Sequence, residues 1–153
     1  MSQHFNVLFL CTGNSCRSVM AEVLLKKKLK DNKRDDVEVI SAGIILLGGL
    51  GASEGTKEVL SKAGLDVSGH RSQRVSKDII RRSDLILVME KIHEEEILKI
   101  APDAKNRVFL LKEFAKIRDD DLEIHDPLGH TLDYYENIYY IIKEAVERIS
   151  GVL

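Results

Sequence analysis

Val7-Leu8-Phe9-Leu10-Cys11-Thr12-Gly13-Asn14-Ser15-Cys16-Arg17-Ser18 decides the architecture of this chain. Residues 7–10 are continuously apolar and stop at a run of turn formers. Continuous apolarity bounded by turn signals marks a strand buried on both faces, the kind found in parallel sheets. Over residues 18–30 the period changes. Met20, Val23 and Leu24 recur at helical spacing, with Lys26, Lys27 and Lys28 directed outward. A buried strand that passes through a glycine-containing turn straight into a helix opens an alternating β/α fold.

The rest of the chain continues that alternation. Residues 37–40, Val-Glu-Val-Ile, read as a second strand that stops at Ser41-Ala42-Gly43. A Gly-rich segment leads to a helix over 53–63 that Gly64 ends. Residues 84–89 read as a third buried strand. Residues 90–100 follow as a helix with acidic residues early, where the helix dipole favours them. A fourth strand spans 107–111, and Asp126-Pro127-Leu128-Gly129 is a turn. The last helix covers 132–149 and buries Tyr135, Ile138, Ile142, Ala145 or Val146, and Ile149. The charged stretch 118–123 reads as a solvated loop. The expectation is one α/β domain over residues 1–153, a three-layer sandwich with an open parallel sheet and helices on both faces. Ligands bind such sheets at the carboxyl ends of the strands, where the strand order reverses, and Cys11 sits at that end of the first strand.

Composition narrows the function classes. The 153 residues are 44% hydrophobic and 31% charged, as in a globular protein, and the formal net charge of −2 gives no bulk attraction to nucleic acid or anionic membrane. No apolar run approaches the length of a membrane span, and the N-terminus lacks the features of a signal peptide. A cytoplasmic protein is the expectation. Two cysteines are too few for a disulfide scaffold, and none of the five histidines is placed for a metal.

The chemistry lies in the loop between the first strand and first helix. A turn of this kind aims backbone N–H groups at one point and forms an anion site at a helix N-terminus. Gly13 and Asn14 tolerate the left-handed backbone such a cradle needs. Arg17 can grip two oxygens of an oxyanion with its planar fork. Cys11 lies at the base, where the N–H groups, the helix dipole and Arg17 all favour a thiolate. A cysteine at a strand end also serves as core filler. The preceding strand, the following helix, the turn glycine and the Ser18 next to Arg17 select the nucleophile. Asp126, on a rigid turn before Pro127, is either a proton donor to a leaving group or an Asx turn or N-cap, and the residues alone leave those readings level. Cys16 is either a disulfide partner for an oxidised Cys11 or a small hydrophobe packed under the loop.

The loop resembles the signature of the low-molecular-weight protein tyrosine phosphatases, Cys-x-Gly-Asn-x-Cys-Arg-Ser near the N-terminus. Ser41-Ala42-Gly43, His70 and Asp126-Pro127 extend the match over nearly the whole chain. The resemblance implies a four-stranded parallel sheet. It also implies Cys11 as nucleophile, Arg17 as phosphate and transition-state clamp, and Asp126 as general acid. Residues 12–17 (Thr12, Gly13, Asn14, Ser15, Cys16, Arg17) become the phosphate-binding loop. Ser18 bonds the thiolate, and Asn14, Ser41 and His70 hold the loop in shape. The implied reaction is hydrolysis of protein phosphotyrosine through a phosphocysteine, with no metal or cofactor. The implied partners are phosphorylated proteins or peptides, inorganic phosphate and similar oxyanions.

Three departures bear on substrate. Val19 replaces the proline usual after the signature serine. The rim expected around the substrate is aliphatic, Ile44, Leu46 and Leu128, where tyrosine-directed members often carry aromatics. Ser15 replaces a bulky aliphatic residue. A small hydroxyl residue there, with Gly129 after Asp-Pro-x, resembles the protein-arginine phosphatases on the same scaffold, which stand as the alternative. Thioredoxin-coupled arsenate reductases share the loop but need further cysteines, and none follows Cys16. A binder without catalysis needs neither Cys11 nor Asp126.

Overall fold

The computed structural model of the protein describes residues 4–45 and 49–153. Leu46 of the expected rim lies outside them. Strands β1 (Phe5–Cys11), β2 (Val37–Gly43), β3 (Leu85–Val88) and β4 (Val108–Leu110) form one parallel sheet in the order β2-β1-β3-β4. The chain steps from β1 to β2 on one side and returns to place β3 on the other. The switch point is therefore the carboxyl ends of β1 and β3, which deliver Cys11 and the segment after Val88 to one crevice.

The alternation of a strand sorts its side chains between two faces. Val7, Phe9 and Cys11 join the cluster that includes Met20 and Leu25 of α1 (Arg17–Asp31), Leu60 of α2 (Glu54–Lys62) and Ile142 of α6 (Leu132–Ser150). Leu8 and Leu10 join Ile80 of α3 (Lys77–Arg82), Ile97 of α4 (Lys91–Ile100) and Ile86 on the opposite face. Three layers result. On α6, Tyr135, Ile138, Ile142, Ala145, Val146 and Ile149 are all buried. Burying an aliphatic side chain of this size contributes roughly 1.5–3 kcal/mol, so a charge at Ile142 would undo that face.

Helix ends follow their sequence signals. Ser53 accepts the Thr56 N–H at the start of α2, and Gly64 beyond its end has φ +77°. Ser76 and Thr131 cap α3 and α6 in the same way.

Some boundaries differ from the expectation. β2 continues through Ser41-Ala42-Gly43, all buried, because its end lies between the loop after β1 and the chain near Arg74. α3, the 3-10 turn Pro102–Arg107 and α5 (Leu111–Phe114) were not expected. Each spans six residues or fewer, too short for a periodic pattern to register. Residues 118–121 are exposed as a loop, yet the loop is anchored. The buried Lys112 ammonium donates to Asp119 Oδ2 and the Asp121 carbonyl, both at 2.8 Å, and Glu123 accepts the Lys91 N–H.

Candidate active site

Cys11 ends β1, and Cys16 occupies the N-cap position of α1. The loop between them is shaped chiefly by Asn14, which is fully buried with φ 54°. Asn14 Nδ2 donates to Ser18 Oγ and to Ser41 Oγ, each at 2.9 Å, while Oδ1 accepts the Gln73 N–H at 3.0 Å. His70 Nε2 donates to the Asn14 carbonyl at 2.8 Å. Ser41 in turn donates to Glu22 on α1. Because Ser18 Oγ already accepts from Asn14, its own hydrogen is available to Cys11 Sγ, 2.9 Å away. Ser18, Asn14, Ser41 and His70 thus form one network around the loop.

The expectation for Gly13 fails: only Asn14 takes the left-handed conformation within the loop. The glycine demanded by close approach is Gly43. A Cβ there would lie 2.7 Å from the Thr12 carbonyl and 3.0 Å from Asn14 N. The bare β2 end lets Ile44 N and Ile45 N bond to the Thr12 carbonyl at 2.9 and 3.1 Å.

Arg17 is 1% exposed. Its Nη1 donates to the Glu90 carboxylate and, at 2.8 Å, to the Ile124 carbonyl. Nη2 donates to Thr12 Oγ1 at 3.3 Å and lies 3.8 Å from Asp126 Oδ2. Nε is buried with no protein partner, the one such side-chain atom among the described residues. One corner of the guanidinium is therefore fixed, and Nε and Nη2 remain to meet a ligand.

Glu90 and His93 were missed by the sequence reading. Glu90 lies one residue beyond the end of β3, after Met89, at the switch point and occupies the N-cap position of α4. Its carboxylate and the His93 imidazole form a reciprocal capping box. The signals available were the position of Glu90 after a buried strand and the three-residue spacing to His93. His93 is fully buried and donates from Nε2 to Thr12 Oγ1 at 3.0 Å. Burial, together with the neighbouring Arg17 charge, pushes its imidazole down to about 3.

Asp126 forms the Asx turn, and its second oxygen is left toward the loop. Its Oδ1 accepts the Leu128 N–H at 3.0 Å in an Asx turn, while Oδ2 faces Arg17. Both cysteines are free and buried. Cys16 Sγ lies 3.1 Å from Ser53 Oγ and 3.7 Å from the Tyr135 hydroxyl, whose pKa burial pushes up to about 12. Ser15 Oγ stands 3.6 Å from Cys16 Sγ. Of the residues expected on the rim, Leu128 is 59% exposed. Ile44 is not a free rim residue: it packs partly against the Leu8 and Leu10 cluster, and Ile45 is the exposed neighbour. His125 does approach metal-type ligands, with one atom each of Glu90, Glu123 and His125 within 4.8 Å of one another. All three are already engaged, with Arg17, Lys91 N and Asp121 respectively.

The family model for low molecular weight phosphotyrosine protein phosphatase matches residues 6–152. The chain belongs to that family. This phosphatase is 35% identical over 149 residues to a protein-arginine-phosphatase of Geobacillus stearothermophilus, covering 97% of this chain and 96% of the relative. It is 36% identical over 141 residues to the probable low molecular weight protein-tyrosine-phosphatase EpsP of Ralstonia nicotianae, covering 92% and 90%. Its fold superposes with a TM-score of 0.90 on the low molecular weight protein tyrosine phosphatase from T. tengcongensis, at 32% identity, covering 97% of this chain and 99% of that one. The open four-stranded parallel sheet and hydrolase class expected from the sequence both hold. Among the described residues no helix is long and apolar enough to cross a membrane.

Proposed function

We propose that the phosphatase hydrolyses phosphotyrosine in proteins in two steps. Cys11 attacks the phosphorus in line while Asp126 protonates the departing oxygen, leaving a phosphocysteine. Asp126, now a carboxylate, takes a proton from water as that water displaces Cys11. Loop N–H groups of residues 12–17 and the Nε–Nη2 edge of Arg17 hold the equatorial oxygens in both transition states. Ser18 steadies the thiolate, and Asn14, Ser41 and His70 keep the loop in shape. The observation that carries this reading is Arg17, buried, anchored at one nitrogen and left with an unpaired Nε beside the Cys11 loop. A buried N–H without a partner costs about 1–3 kcal/mol, and an oxyanion in the cradle relieves it. Cys11→Ser is expected to abolish turnover of an aryl phosphate while phosphate still binds. Retained turnover by that variant ends the reading.

Phosphoarginine is the second reading, and Ser15 favours it. A small hydroxyl residue leaves room beside the cradle, and the exposed rim residues Ile45 and Leu128 are aliphatic. Ring stacking worth about 0.5–1.5 kcal/mol is therefore not offered to a phenyl group. Parallel assays on phosphotyrosine and phosphoarginine peptides, with Ser15→Ile as companion, separate the two. Ser15→Ile is expected to move the ratio of specificity constants toward phosphotyrosine; an unchanged ratio removes Ser15 from the argument.

Cys16 serves as resolving thiol in this reading. Peroxide converts Cys11 to a sulfenic acid, and the Cys16 sulfur displaces hydroxide from it to form a disulfide. Thiol should restore peroxide-treated wild type but not Cys16→Ala. A cytoplasmic setting, where thiols are kept reduced, suits this chemistry.

A further inference from the structure

Thr12 carries a side chain whose hydrogen-bonding capacity is nearly exhausted on one side. His93 Nδ1 accepts the Glu90 backbone N–H at 3.0 Å, so the ring proton resides on Nε2. Nε2 donates to Thr12 Oγ1 at 3.0 Å, and Arg17 Nη2 donates to the same oxygen at 3.3 Å. A hydroxyl has two acceptor sites and one O–H. Both acceptor sites are filled, so Thr12 is left as an obligate donor, and among the described residues no acceptor stands opposite it. It stands on the Arg17 Nη2 side of the cradle. Thr12 is half-buried, follows Cys11, and shares Arg17 Nη2 with Asp126.

We propose that the Thr12 hydroxyl, aimed by His93, donates to the oxygen that faces Cys11 across the phosphorus, the leaving oxygen first and the attacking water second. This rests on the two-step reading above. In the second step the water oxygen forms the new bond to phosphorus, and the P–S bond breaks with its electron pair returning to Cys11. One water proton passes to the Asp126 carboxylate. The Thr12 proton stays on Thr12 throughout; its bond occupies one lone pair of the water and leaves the other directed at phosphorus. His93 touches no reacting atom and is a positioning residue, acting through Thr12.

Steady-state hydrolysis of p-nitrophenyl phosphate by Thr12→Val, Thr12→Ser, His93→Phe and His93→Gln tests this, with phosphate as competitive inhibitor. Thr12→Val keeps the shape and removes the O–H. Its kcat is expected to fall about 3–10-fold, the effect of one uncharged hydrogen bond, and phosphate, whose fourth oxygen takes the place of the leaving oxygen, should inhibit less well by a similar factor. Thr12→Ser should recover most of the loss. His93→Phe should lower kcat in the same direction, and His93→Gln, which retains an N–H donor, should recover part. Should Thr12→Val not fold, Thr12→Ala carries the same expectation. An unchanged kcat overturns the assignment. So does a loss of kcat that Thr12→Ser fails to recover, which marks a structural role for the side chain. Glycerol added to the assay keeps the two claims apart. If wild type forms no phosphoglycerol, the covalent intermediate fails. If it does and Thr12→Val turns over normally, only the Thr12 role fails.

Discussion

His93 ties the stability of this phosphatase to pH in a way that one substitution isolates. The ring is wholly buried against Thr12, with Arg17 nearby and Glu90 Oε1 4.0 Å from Nε2. Burial and the Arg17 charge lower its pKa from 6.5 to about 3. In the unfolded chain the same ring takes up a proton near 6.5, so between 6.5 and about 3 the unfolded state binds more protons than the folded one. Stability from this group is therefore fully present above the unfolded value and declines as pH falls through that window, by up to about 1.4 kcal/mol per pH unit. At pH 5 the loss amounts to about 2 kcal/mol. The assay is urea unfolding of wild type and His93→Gln at pH 7, 6 and 5. His4, His70, His125 and His130 are common to both proteins and cancel in the difference. The advantage of wild type over the variant should shrink by about 2 kcal/mol from pH 7 to pH 5. A difference that stays flat across that range refutes the buried, neutral imidazole.

Three more outcomes follow from the geometry. Gly43→Ala should destabilise the protein by about 1–3 kcal/mol and weaken phosphate inhibition, because the added carbon meets the backbone of Thr12 and Asn14; a thermal melt and an inhibition curve check both. Glu90→Gln keeps an acceptor for Arg17 but removes the charge, and should lower stability by about 1–3 kcal/mol together with kcat. An unchanged melt and unchanged turnover would show that the Glu90 charge does not hold Arg17. Asp126→Asn should slow phenyl phosphate hydrolysis by about 10²-fold or more and p-nitrophenyl phosphate far less. Equal losses on both substrates would mean that Asp126 does not protonate the leaving group.

The sheet and the cradle were legible because their signals are local. An unbroken apolar run wrote β1, the change to helical period wrote α1, and Cys11, Asn14, Arg17 and Ser18 fall within eight residues. What escaped was contributed by distant segments. Glu90 and His93 meet the loop only because β3 lies beside β1, an adjacency that no spacing along the chain encodes. The need for glycine was assigned to Gly13 inside the loop, whereas the tight approach comes from Gly43 on the neighbouring strand. Ile44 was counted as rim from its place in the loop after Ser41-Ala42-Gly43; which of Ile44 and Ile45 faces inward depends on how the end of β2 is fastened to Thr12.

The buried Lys112 has a consequence for the segment that ends in Asp126. That stretch is fastened to the body at the Lys112 ammonium, at Lys91 N through Glu123, and at Met89 through Ile124. A carboxylate at the end of a thrice-moored strap already stands over the cradle when the substrate arrives. The disorder given up to put it there is surrendered once, during folding, rather than at every encounter.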